Sequence, residues 1–221
     1  MAVIVVGGHS RNIGKTSVVA GLIARLPEFH WTAFKITQYG HGFCTADGKP
    51  CQCETADSCV AVNFEHDLAS GTDTSRFLAA GAARSIWVRT RIGMLAEAMP
   101  RIEKELAASE NAILESNSIL EFLRPDLYLT VLDPAVADFK DSARRFLPLA
   151  DAVLVPSSGV DLPGLAEVPQ FSIAAPGYMS EALVEFVRTR VTKGAMGHPP
   201  PPPPSRPVID LAGVRKGHPA R

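Results

Sequence analysis

Gly7-Gly8-His9-Ser10-Arg11-Asn12-Ile13-Gly14-Lys15-Thr16-Ser17 is the stretch from which the rest of the chain is read. An apolar run, Ala2 to Val6, enters it, and apolar residues at helical spacing leave it: Val18, Val19, Leu22, Ile23 and Leu26, before Pro27. The order is that of a buried strand, a glycine-rich turn and a helix. Such a turn gathers backbone N–H groups, and the helix N-terminus adds the positive end of its dipole, so the junction is built for an anion. In a phosphate-binding loop of this kind Lys15 reaches the β- and γ-phosphates, and the Thr16 hydroxyl faces Mg²⁺. The residues expected to cradle the phosphates are Gly8, Asn12, Ile13, Gly14, Lys15, Thr16 and Ser17.

Around this stretch, apolar runs of strand length alternate with helix-length segments. The expected strands are 2–7, 31–37, 85–89, 112–115, 126–132, 151–155 and 168–173. The expected helices are 15–25, 74–83, 94–108 (with Pro100 kinking or restarting it), 140–147 and 181–191. Asp73 is placed to cap the second helix. Alternation of this kind predicts an α/β fold, a mostly parallel sheet with helices on both faces in three layers. Its ligands bind beyond the C-terminal ends of the strands. Residues 1–194 read as one domain with a cysteine-rich, irregular insertion at about 38–72. Residues 195–221 read as a disordered tail, with six consecutive prolines from Pro199 to Pro204.

Three polar groups fall at expected strand ends. They are the loop itself, Lys35 closing the second strand and Glu115 closing Ala112-Ile113-Leu114. Lys35 would clamp a γ-phosphate or an anionic substrate, and Glu115 would hold Mg²⁺ opposite Thr16. The plainer alternatives are a surface lysine and an acid capping a turn before Ile119. Asp73 reads either as a helix cap only, or as a second carboxylate that serves the metal or orients the attacking group. Lys15, Lys35 and Asp73 are thus the candidate catalytic residues, with Asp47 in the insertion a weaker one.

The chain has 221 residues, 46% of them hydrophobic, and a formal charge of −1. That balance gives no case for nucleic acid or a membrane surface as partner. The charge is uneven, with seven basic residues and one acidic residue from Arg188 onward. With no signal peptide and no apolar run of spanning length, the expected location is the cytoplasm. In that compartment Cys44, Cys51, Cys53 and Cys59, with His41 nearby, suit Zn²⁺ or an iron–sulfur cluster. The alternative is a mobile loop with free thiols.

The phosphate loop departs from Gly-x4-Gly-Lys-Thr, because position 9 is histidine; read from Gly8 it is Gly-x5-Gly-Lys-Thr. This longer loop resembles that of dethiobiotin synthetase and the cobyrinate amidotransferases, a branch of the P-loop NTPases that includes MobB. The resemblance to the MobB family spans roughly residues 2–132. It is carried by Gly14-Lys15-Thr16, by Phe34-Lys35-Ile36-Thr37 followed by His41, and by Asp73-Thr74-Ser75-Arg76-Phe77-Leu78-Ala79-Ala80-Gly81-Ala82. It implies a protein that binds GTP or ATP with Mg²⁺ and hydrolyses it slowly. Such a protein assists an enzyme of molybdenum-cofactor synthesis, and a homodimer fits the same reading. Glu115 is followed by Ser116-Asn117 where that family has Glu-Gly, and no Asn-Lys-x-Asp guanine-reading motif is present. Two other functions fit the residues. One is an ATP-dependent ligase that activates a carboxylate, as dethiobiotin synthetase does. The other is a metallochaperone in which nucleotide state controls the cysteine loop.

Overall fold

The computed structural model describes residues 1–40, 60–156, 164–175 and 177–194. The cysteine-rich loop, with His41, Asp47 and all four cysteines, lies outside these residues, as does the proline-rich segment 195–221.

The first strand, β1 (Val3–Gly8), is buried along its whole length. Its alternating side chains serve two cores: Ile4 and Val6 face one way, Val3 and Val5 the other. Helix α1 (Lys15–Arg25) lays Val18, Val19, Leu22 and Ile23 on the first of these faces. The chain then forms β2 (Trp31–Tyr39), β3 (Val60–Phe64), α2 (Asp73–Ala79), β4 (Arg84–Arg91), α3 (Leu95–Ala107) and β5 (Asn111–Glu115). It ends with β6 (Leu127–Val131), α4 (Asp141–Phe146), β7 (Ala152–Val155), β8 (Gln170–Ser172) and α5 (Glu181–Gly194).

The eight strands form one sheet in the order β3-β4-β2-β5-β1-β6-β7-β8, parallel except for β3. Phe77 of α2 and Leu183, Val184 and Val187 of α5 join α1 on one face. Leu95, Ala98 and Ile102 of α3 and Phe146 of α4 cover the other. A strand buried on both faces cannot alternate polar and apolar residues, which is why the central strands β1, β6 and β7 read as nearly continuous apolar runs. The chain moves from β1 to β2 on one side, inserts β5 between them, and places β6 on the far side of β1. The sheet therefore reverses direction at β1, where ligands of such sheets bind. No helix among the described residues is long and apolar enough to cross a membrane.

Four local expectations are corrected. The second strand does not end at Thr37 but runs on to Tyr39, because β4 pairs with it as far as Arg91. Residues 60–64, expected to be irregular, form the antiparallel edge strand β3 on β4. Helix α3 runs unbroken through Pro100, so the proline does not restart it. The carbonyl that this proline leaves without an N–H donor belongs to Ala96, which is exposed to water. Helix α2 is capped by Thr72, whose hydroxyl accepts from the Ser75 N–H at 3.1 Å, and not by Asp73. Thr72 has the extended backbone a cap requires, while Asp73 is already the first helical residue.

Candidate functional site

The loop after β1 is fixed before any ligand is considered. Asn117 grips Gly8 by both backbone groups: its Oδ1 accepts from the Gly8 N–H at 2.9 Å, and its Nδ2 donates to the Gly8 carbonyl at 2.8 Å. A side chain at Gly7 would collide with Asn117 Oδ1 and with Tyr128, so that position must be glycine. His9 is buried. The Asp133 N–H donates to His9 Nδ1 at 3.4 Å, which leaves Nε2 to donate to the Val136 carbonyl at 3.1 Å. Burial lowers the His9 pKa and favours this neutral tautomer. Ser10 Oγ donates to Asp138 at 2.8 Å, and the Lys140 N–H donates to the His9 carbonyl at 2.9 Å. The segment after β6 thus braces the loop from one side.

At the loop's exit the backbone turns left-handed twice, at Asn12 (φ 53°) and Gly14 (φ 95°). A Cβ on Gly14 would lie 2.6 Å from the Tyr178 ring, so the glycine is required by space as well as by conformation. Ile13 is buried between these turns and contributes packing with its side chain. The first intrahelical bond runs from the Val18 N–H to the Gly14 carbonyl. The N–H groups of Lys15, Thr16 and Ser17 have no acceptor within the helix and form its anion-binding end.

Five charged or polar side chains meet in front of this helix end. Lys15 Nζ bridges back to the Ser10 carbonyl at 2.5 Å. Burial pulls its pKa down from 10.5 to about 8, against the opposing attraction of Glu115. Thr16 Oγ1 donates to Glu115 Oε2 at 2.8 Å. Lys35 Nζ donates to Glu115 Oε1 at 2.6 Å and reaches Asp73 Oδ2 at 2.7 Å. Burial opposes the charge on Lys35, but Glu115 and Asp73 together outweigh it and its pKa is raised. Lys140, beside Arg11, has its pKa lowered, chiefly by burial.

The register of the sheet explains this meeting. Lys35 and Glu115 are direct partners between β2 and β5, and Glu115 pairs with Val6 of β1 on its other side. Lys35 follows Ala33, and Glu115 follows Ile113, on the face that α1 covers. Lys35 is therefore not at the end of its own strand, as the sequence suggested, but level with the end of β5. Glu115 is not a turn cap, because Ser116 Oγ accepts the Ile119 N–H.

Asp73 arrives from above. The loop before α2 is organised by Glu65, which accepts from the hydroxyls of Thr72, Ser70 and Thr74 and from two backbone N–H groups. Those bonds, Thr72's first, lower the Glu65 pKa to about 2. Arg76, one turn on, donates to Ser17 Oγ at 3.0 Å and ties α2 to the start of α1.

Lys15, Thr16, Lys35, Asp73 and Glu115 are thus brought together, with Gly14 and Ser17 beside them. Gly8 has both backbone groups committed to Asn117. Cys44, Cys51, Cys53 and Cys59 lie outside the described residues, and among the described residues no group of three His, Cys, Asp or Glu could hold a metal. The sequence reading missed the clamping role of Asn117, the contacts of Ser10 with Asp138, and Tyr178. A polar residue two positions past the strand-end Glu115 was a usable signal for the first. Tyr178 lies 164 residues from Gly14 and carries no local signature.

A parallel sheet that reverses at β1, a glycine loop leading into α1, and a lysine at the helix start define a P-loop NTPase fold. No protein-family model and no curated protein matches the sequence. Among solved structures, HypB from Helicobacter pylori, in complex with nickel, is similar over 86% of this chain and 87% of its own, at 14% identity and a TM-score of 0.47. LpxK from Aquifex aeolicus, in complex with ATP, is similar over 78% of this chain at 18% identity and a TM-score of 0.46; the chain spans 53% of its length. A MobB homolog from Bacillus stearothermophilus is similar over 87% of this chain and 99% of its own, at 15% identity and a TM-score of 0.42.

Proposed function

We propose that this protein binds a nucleoside triphosphate, GTP or ATP, together with Mg²⁺, and hydrolyses it slowly as a step in cofactor assembly. The observation that supports this most is the convergence of Lys15, Thr16, Glu115 and Lys35 on the N-terminus of α1. A triphosphate would compete with the Ser10 carbonyl for Lys15 and take the free N–H groups of residues 15–17. Thr16 and Glu115 are hard oxygen donors 2.8 Å apart, a pair suited to Mg²⁺ directly or through water. When bound, the ion would neutralise charge that builds up on the β- and γ-phosphates.

In hydrolysis a water oxygen bonds to the γ-phosphorus, the bond to the bridging oxygen breaks, the diphosphate leaves, and the proton shed by the water goes to the released phosphate. Lys15 and Lys35 would stabilise the charge on the transferring group. Asp73, held by Lys35, would orient the water.

A second reading is favoured by the position of Lys35 along β2. Lys35 sits at the rim where β2 continues past the site, so it could hold the carboxylate of a second substrate while the γ-phosphate is transferred to it.

Fluorescence titration with Mg-GTP and Mg-ATP, repeated with Thr16→Val and with EDTA, tests the metal-dependent part. We expect EDTA or Thr16→Val to weaken triphosphate binding by tenfold or more. Equal affinity in all three conditions would overturn it.

A further inference from the structure

Beyond Lys35, on the same face of the sheet, β2, β3 and β4 carry a second polar row that the nucleotide reading does not use. Register fixes its layout. Lys35, Trp87 and Asn63 are cross-strand neighbours in one row. Thr37 and Arg89 are neighbours in the next, one side-chain repeat (about 6.6 Å) further along the strands. The row is pre-organised. Trp87 Nε1 donates to Thr37 Oγ1 at 3.1 Å. The Arg89 guanidinium lies 4.7 Å over the Trp87 ring, and its Nη2 donates to Asn63 Oδ1 at 2.9 Å.

Stacked and pinned in this way, Arg89 is held in a fixed direction without a carboxylate: among the described residues it forms no ion pair. Other arginines of the structure do pair with acids, Arg25 with Glu181, Arg84 with Glu105 and Arg145 with Glu121. A guanidinium whose orientation is fixed loses little entropy on binding; with Nε buried and one Nη2 hydrogen on Asn63, the donors left for an oxyanion are those of Nη1 and the second Nη2 hydrogen, an end-on pair.

We propose that the shelf formed by Thr37, Asn63, Trp87 and Arg89 binds the oxyanion of a second small molecule. Its carboxylate or phosphate lies on Arg89, beside the Lys35 end of the nucleotide site. What that molecule does rests on the nucleotide reading, but its binding does not. Lys35 is the group proposed above to meet the transferring phosphate, and Arg89 stands one row beyond it, so an oxyanion on Arg89 would be placed as an acceptor for phosphoryl transfer.

Trp87 supplies the probe. The protein has two tryptophans, and Trp31 is buried with its Nε1 bonded to the Leu26 carbonyl, whereas Trp87 is half-buried on the shelf. The full chain, labelled with ¹⁵N, is titrated with sodium pyrophosphate and separately with sodium succinate, with and without saturating Mg-ADP. Trp87→Phe assigns the indole signals. At least one oxyanion is expected to shift the Trp87 indole signal saturably, with Mg-ADP present, while the Trp31 signal stays still. Arg89→Gln should weaken that binding at least tenfold, and Arg89→Lys, which keeps the charge and loses the fork, by less. The arm that binds tells phosphate from carboxylate.

The shelf is refuted if neither oxyanion shifts Trp87, if Arg89→Gln binds as the wild type does, or if the one shift seen is that of pyrophosphate with Mg-ADP absent. The last result would place the anion in the phosphate loop. Direct titration with Mg-ADP reports separately on that loop, so a loop that fails to bind and a shelf that fails to bind are told apart.

Discussion

Lys35 and Glu115 stand opposite each other in the register of β2 and β5, and their side chains meet at 2.6 Å over the start of α1. Glu115 is only 3% exposed. Lys35 donates to one of its oxygens and Thr16 to the other. The site is therefore held together by electrostatics that must change when an anion and a cation enter it.

Removing Lys35 alone strands a buried carboxylate. Breaking one side of such a pair costs about 3 kcal/mol, whereas replacing both partners by apolar residues costs much less. Lys35→Met should lower unfolding stability by about that amount, and Lys35→Met/Glu115→Leu should be less destabilised than the sum of its two single changes. Urea unfolding of the four proteins measures the coupling. Additive effects would mean that the pair carries no buried electrostatic load.

The depressed pKa of Lys15 sets a pH dependence. Free Lys15 titrates at about 8, below the ordinary 10.5. A bound triphosphate brings negative charge and restores its proton, so binding above pH 8 takes up a proton. Affinity should then fall as pH rises from 8, by up to about tenfold per pH unit. Calorimetry at pH 9 in two buffers of different ionisation enthalpy should show uptake approaching one proton, and none at pH 6.5. No difference between the buffers at pH 9 would contradict the assignment.

Asn117 makes a different kind of contribution. It holds Gly8 with one donor and one acceptor. Asn117→Asp keeps the size but sets an oxygen against the Gly8 carbonyl. The loss is expected to be about 1–3 kcal/mol of stability, from a lost bond and an unsatisfied carbonyl. Triphosphate affinity should fall with it, because the loop loses its anchor. Thermal unfolding and nucleotide titration of the same variant test both.

Residues that act through local order were readable in the chain, and those that act through register were not. Strand, loop and helix from Val3 to Arg25 follow from an apolar run, a glycine pair and helical spacing. The meeting of Lys35 with Glu115 could be suspected from two strand ends but depended on β5 lying beside β2, which no local pattern dictates. The extension of β2 to Tyr39 was hidden because Gln38 is polar and Tyr39 mixed in character, and both are held by pairing with β4. Thr72 was overlooked as the cap because Asp73, equally suited by type, follows it directly. Its hydroxyl is held in place by Glu65, seven residues earlier. Asn117 and Tyr178 reach the loop only through tertiary packing.

The central claim is that the loop from Gly7 to Ser17 binds the phosphates of a nucleoside triphosphate through Lys15. The most direct test is equilibrium titration of the full chain with fluorescent Mg-GTP and Mg-ATP analogues, beside Lys15→Ala. Saturable binding of at least one nucleotide at one site per chain is expected, weakened by a hundredfold or more in Lys15→Ala while circular dichroism shows the fold intact. No binding by the wild-type chain, or equal binding by a folded Lys15→Ala, would contradict it.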